Sequence, residues 1–281
     1  MDLPEDRALA ELVQRYAGLI ERFGSDIGRR PLVLPNSQFF PDVFTGDQGS
    51  VARLLRRMQL HAGMSDVPIA VGLDVSDGEA QACGSGGCGS CAVPVAESGS
   101  GARLLDLGDE WRIELTPDGA RHPVALTAGL ARLLGCVFLL EESSAERPID
   151  EPVDVTAELT AVALGLGSLL LAGSYVYQKS CGGPSVARLT LLSVGELAAL
   201  LAMFASSQQH SLRVARSELD ATQREALVEA ETWLLSNPRV AKLLVTDPLR
   251  LALGDFELSA PKSWLARMFS QLSPAARASN V

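Results

Sequence analysis

Three cysteines stand close together in Cys83-Gly-Ser-Gly-Gly-Cys88-Gly-Ser-Cys91. Thiolates ligate metals, and small residues between them let the backbone bend so that several sulfurs face one point. A closed zinc site needs four N or S ligands, and Cys181 supplies the fourth in the simplest set, with Cys136 as the other distal thiol. The same glycine- and serine-rich composition also describes a flexible loop in which cysteines happen to cluster.

Other chemistry-bearing residues lie on two long apolar segments. The first runs from His122-Pro123 through Arg132-Leu133-Leu134-Gly135-Cys136 to Leu140, and the second from Glu158 to Tyr177. Cys136 could ligate through sulfur and Glu158 through its carboxylate, which extends the metal-ligand candidates to Cys83, Cys88, Cys91, Cys136, Cys181 and Glu158. His61, His122 and His210 read as ordinary surface histidines. No stretch resembles a nucleophile elbow or a phosphate loop, and Gly165-Leu-Gly167 sits inside an apolar helix as a packing feature.

The elements that must position these groups follow from periodicity. Leu9, Leu12, Val13, Tyr16, Leu19, Ile20 and Phe23 repeat at helical spacing, and so do Val51, Leu54, Leu55 and Met58. Arg53, Arg56 and Arg57 fall on the other side of that second helix and read as a solvated face. Between the two helices the prolines of residues 31–46 impose an extended connector, anchored by Phe39, Phe40 and Phe44. Residues 67–74 and 111–116 read as strands, and Pro117-Asp118-Gly119 as a turn. The segment 179–188 reads as a polar loop. Ser193 begins a further helix through Glu196, and residues 220–236, 240–245 and 261–272 read as helical.

Composition bounds the rest. With 47% hydrophobic and 21% charged residues in 281, the chain has ample core material. A formal charge of −10 argues against a nucleic-acid partner, because phosphate binding needs clustered Lys and Arg. The acidic start Met1-Asp2-Leu-Pro-Glu-Asp-Arg7 does not read as a signal peptide, so a cytoplasmic protein with reduced thiols is expected. Residues 159–177 carry no charge over a length near that of a membrane span. Internal Gly and Ser and the absence of basic flanks favour a buried helix over a membrane span.

The residues Leu34-Pro35, Phe39-Phe40-Pro41-Asp42, the two central helices, and Leu192-Ser193 with Glu196-Leu197-Ala198 and Phe204-Ala205 resemble a group of bacterial proteins similar to zinc-dependent peptidases. That resemblance implies a zincin-like core and places the family's H-E-x-x-H motif at Arg132-Leu133-Leu134-Gly135-Cys136. Both histidines and the catalytic Glu are therefore replaced, while Glu158 keeps the acidic character of a third ligand. The implied protein is a non-catalytic relative, a pseudoenzyme that binds a protein partner or serves a structural role. Arg132 is expected to stand in for the metal's charge by facing Glu158. The cysteine loop, in turn, resembles that of plant-type [2Fe–2S] ferredoxins and of the ferredoxin-like domains of molybdenum hydroxylases. It implies the alternative function, a cluster or zinc site used in electron transfer or redox sensing, with no cofactor as the third outcome.

The fold expected is α+β and mainly helical, one domain over residues 1–281 with a small sheet packed by the central helix pair. Its parts are N-terminal helices (5–63), a cysteine-rich insertion (77–101), the helix pair (122–178) and C-terminal helices (192–272).

Overall fold

A computed structural model describes residues 3–73, 94–97, 101–143, 153–180 and 183–259. Cys83, Cys88, Cys91 and Cys181, and the helix expected at 261–272, lie outside these residues.

The chain begins with α1 (Asp6–Ile27) and α2 (Gln48–Ala62). Asp47 starts α2 sharply because its carboxylate accepts from the Ser50 amide. The connector between these helices lies where its phenylalanines were expected to hold it, with Phe39, Phe40 and Phe44 packed against the core.

Strands β1 (Ile69–Leu73), β2 (Pro94–Glu97), β3 (Ala102–Asp106) and β4 (Trp111–Leu115) form a mixed sheet in the order β1-β4-β3-β2 among the described residues. β1 runs parallel to β4, and the other two pairings are antiparallel. In β4, Trp111, Ile113 and Leu115 are buried while Arg112 and Glu114 alternate outward. The two strands read from sequence are thus present, and β2 and β3 add to them. The turn at 117–119 opens a short helix, α3 (Pro117–Arg121).

The centre is α4 (Pro123–Glu141), packed against α5 (Val153–Ala161), a π-helical turn at Val162–Leu166, and α6 (Gly167–Gly173). Almost every side chain of α4 from Ala125 to Leu139 is buried, because α5 and α6, the sheet and α2 surround it. A helix apolar on all faces needs such an enclosure. Both segments, Pro123–Glu141 and Val153–Gly173, are long and apolar enough to cross a membrane, with mean hydropathies of 1.9 and 1.8. Their apolar windows are 78% and 83% buried within the protein itself.

The second central segment departs from the sequence reading in two ways. At Gly165 the helix breaks, with φ +87°. A Cβ there would lie 2.1 Å from the Pro31 carbonyl oxygen, so the connector occupies the break. The Val33 amide donates to the Gly165 carbonyl at 3.0 Å, and the Ser168 hydroxyl donates to the Val33 carbonyl. The helical run also ends at Gly173, and the chain continues as β5 (Val176–Ser180) and β6 (Gly183–Ala187), an antiparallel hairpin in place of the expected loop.

Among the described residues five helices follow the hairpin, α7 (Val194–Ser207), α8 (Arg213–Ser217), α9 (Ala221–Ser236), α10 (Pro238–Thr246) and α11 (Pro248–Ala252), and α7 packs on α6. Ser193 and Glu196 form a reciprocal capping box at the start of α7.

Candidate functional site

The segment from Arg132 to Cys136 lies on α4, where Gly135 lets α5 approach closely. A Cβ on Gly135 would fall 2.1 Å from the Ala157 carbonyl oxygen. Arg132 and Cys136, four residues apart, therefore share the α4 face turned toward α5.

Arg132 is buried, and its direct partner is Asp154, with Nη2 donating to Oδ1 at 2.5 Å. Asp154 stands one helical turn before Glu158 and is 58% exposed. Glu158 itself is fully buried, and its two oxygens accept from the backbone amides of Leu191 and Leu192 at 2.8 and 2.9 Å. The expected pair of Arg132 with Glu158 is thus replaced by two adjacent arrangements. Asp154, one turn earlier and closer to water, takes the guanidinium; the chain leading into α7 takes the carboxylate. Arg188 donates to the Leu191 carbonyl and closes the same bend.

Burial pushes the Glu158 carboxyl above its ordinary range, against the opposing pull of the two amides and of Arg132 and Arg188. Cys136 is likewise buried, and its thiol is pushed up to about 11, chiefly by burial and further by the Asp154 charge. It is a neutral thiol at ordinary pH.

This donor set does not fit zinc. A guanidinium cannot ligate, the buried thiol resists ionisation, and both Glu158 oxygens already hold backbone amides. Among the described residues no three His, Cys, Asp or Glu side chains converge as a metal site would require. The histidines have local partners. His61 packs edge-on to Phe39 and Phe40, the His210 ring lies 2.7 Å from the Arg30 carbonyl oxygen, and His122 is exposed ahead of α4.

A different part of the molecule offers room for a ligand. A cavity of about 330 Å³ lies between the connector, α2 and the start of α4, with Phe40, Phe44, Leu54 and Val124 in its wall. A second, of about 710 Å³, lies along α2 toward β1 and includes Arg53, Arg56 and Arg57. Asp42 and Arg57 border both, joined by an ion pair of 2.8 Å. The sequence reading placed the three arginines on a solvated face and the phenylalanines on the core, so neither was read as lining a cavity. The extended connector that brings them together was read without its docking position.

Comparison with models of protein families, with curated proteins and with solved structures finds no match to this chain.

Proposed function

We propose that this chain is a non-catalytic binding protein of the cytoplasm, in which a zincin-like helix pair serves as a structural spine rather than as a reaction centre. The observation that supports this reading most is the use of Glu158. A carboxylate that accepts from the Leu191 and Leu192 amides on both oxygens is committed to fixing the entry to α7. Arg132 supports it from the facing helix, with its positive charge lowering the cost of the buried carboxylate. A cation at the centre of the pair is therefore supplied by the protein itself.

The test is thermal unfolding of metal-free protein with and without added zinc. The expected result is a midpoint that zinc leaves unchanged. A zinc-dependent rise that disappears in Glu158→Gln would overturn the reading, because ligands binding only the folded state must stabilise it. Stoichiometric iron and labile sulfide in anaerobically purified protein would instead make Cys83, Cys88 and Cys91 the functional centre.

A further inference from the structure

The two cavities beside α2 differ in character and meet at one ion pair. On the connector side the wall is aromatic and aliphatic, with Phe40, Phe44 and Leu54 half-buried and Val43 78% exposed at the mouth. On the β1 side, Arg53, Arg56 and Arg57 project from successive turns of one helix. Two carboxylates, Asp42 and Asp66, share that groove, so three guanidinium groups face two acids. In a chain of formal charge −10 this is a local reversal of sign. Volumes of about 330 and 710 Å³ fall within the usual range for small-molecule sites.

The partition is open to water. Arg57 Nε donates to Asp42 Oδ2 at 2.8 Å, yet the two side chains are 41% and 35% exposed. A guanidinium has a planar fork that takes a carboxylate through two hydrogen bonds. An incoming carboxylate can therefore displace Asp42 from Arg57 and leave its own apolar tail against Phe40 and Phe44. The arginines at positions 53 and 56 then balance the charge of the displaced Asp42.

We propose that the paired cavities form a binding site for a small amphipathic carboxylate, its acid group on Arg57 and its alkyl or aryl tail in the connector-side chamber. This deepens the binding-protein reading and rests on it, while using residues other than Arg132, Cys136 and Glu158.

The test is calorimetric titration of the full chain with decanoate, with decanol as the neutral probe carrying the same tail. Decanoate is expected to bind one per chain, and decanol at least about tenfold more weakly, the factor that corresponds to about 1.4 kcal/mol. Asp42→Asn removes the competing carboxylate and should tighten decanoate binding. Arg56→Ala and Val43→Asp, both at exposed positions that leave the fold intact, should weaken it. The proposal is overturned by no decanoate binding up to about 1 mM, by equal affinity for decanol, or by affinity unchanged in Arg56→Ala. Zinc titration of the same preparation separates the two readings. A zinc shift with decanoate binding intact removes only the structural-spine account, whereas absent decanoate binding without a zinc shift removes only this site.

Discussion

Gly135 of α4 faces the Ala157 carbonyl of α5 so closely that any side chain at 135 would meet that oxygen at 2.1 Å. The central pair is therefore fastened by backbone contact as well as by side-chain packing. Gly135→Ala must push the helices apart, and overpacking of this kind costs about 1–3 kcal/mol. Urea unfolding should show a loss at the upper end of that range. Gly72→Ala is the control, since its Cβ would meet only Glu114 Cγ at 3.8 Å. Equal stability of the two variants would contradict the close approach.

Glu158 should be the most sensitive polar side chain of the pair. Glu158→Gln keeps one acceptor but turns an amide donor toward the Leu191 or Leu192 N–H, with an expected loss of about 2 kcal/mol. The pH dependence has a definite sign. Because burial raises the native carboxyl above 4.5, the folded state holds its proton more tightly than the unfolded chain. The site's contribution is thus greatest below the ordinary carboxyl value and falls as pH rises through the raised one. The stability difference between the native protein and Glu158→Gln should narrow across that window and then level off. A difference independent of pH would refute the assignment.

Arg132 is expected to act on Glu158 more than on its own direct partner. Asp154 is 58% exposed, so Asp154→Asn should cost no more than about 1 kcal/mol. Arg132→Ala removes a buried side chain and the positive charge near Glu158, and should cost more. A double-mutant cycle between Arg132 and Glu158 should show coupling of at least about 0.5 kcal/mol. Additive effects would mean that Arg132 serves only Asp154.

Cys136 should be inert until the protein opens. Its thiol is raised from 9.0 to about 11, so near neutral pH it is protonated in the folded state and mostly so in the unfolded one. Between these values the unfolded chain ionises first, and stability falls as pH rises. In a chain whose other cysteines are serine, alkylation of Cys136 should be slow at pH 8 and should accelerate with urea along the unfolding curve. Rapid labelling of native protein would show an accessible thiolate instead.

Local patterns announced much of this fold. The apolar repeat of Leu9, Val13, Tyr16 and Phe23 predicted α1, and Ser193 with Glu196 predicted the start of α7, because both signals depend on neighbours within a turn or two. The break at Gly165 left no local mark, since its cause is the Pro31 carbonyl, far away in the chain. The hairpin of β5 and β6 was hidden by Pro184, which disfavours a strand but is tolerated at an edge. At the central pair the sequence singled out Arg132, Cys136 and Glu158 as the groups to examine. It did not show that Glu158 would meet the Leu191 and Leu192 amides, because backbone donors carry no residue identity. Asp154, between the two apolar segments read from sequence, proves to be the partner of Arg132.

The seam at Gly165 also fixes an order of events during synthesis. Val33 finds its partners at Gly165 and Ser168, the latter 135 residues further along. Chains emerge from the ribosome at about 5–20 residues per second, so the connector waits several seconds or longer for its seat. Until then the apolar face of α1 has no permanent cover from α7, with which it packs in the finished protein. The N-terminal helices are thus early-made parts that are among the last to be locked. A nascent chain halted before residue 165 should remain open to proteolysis between α1 and α2.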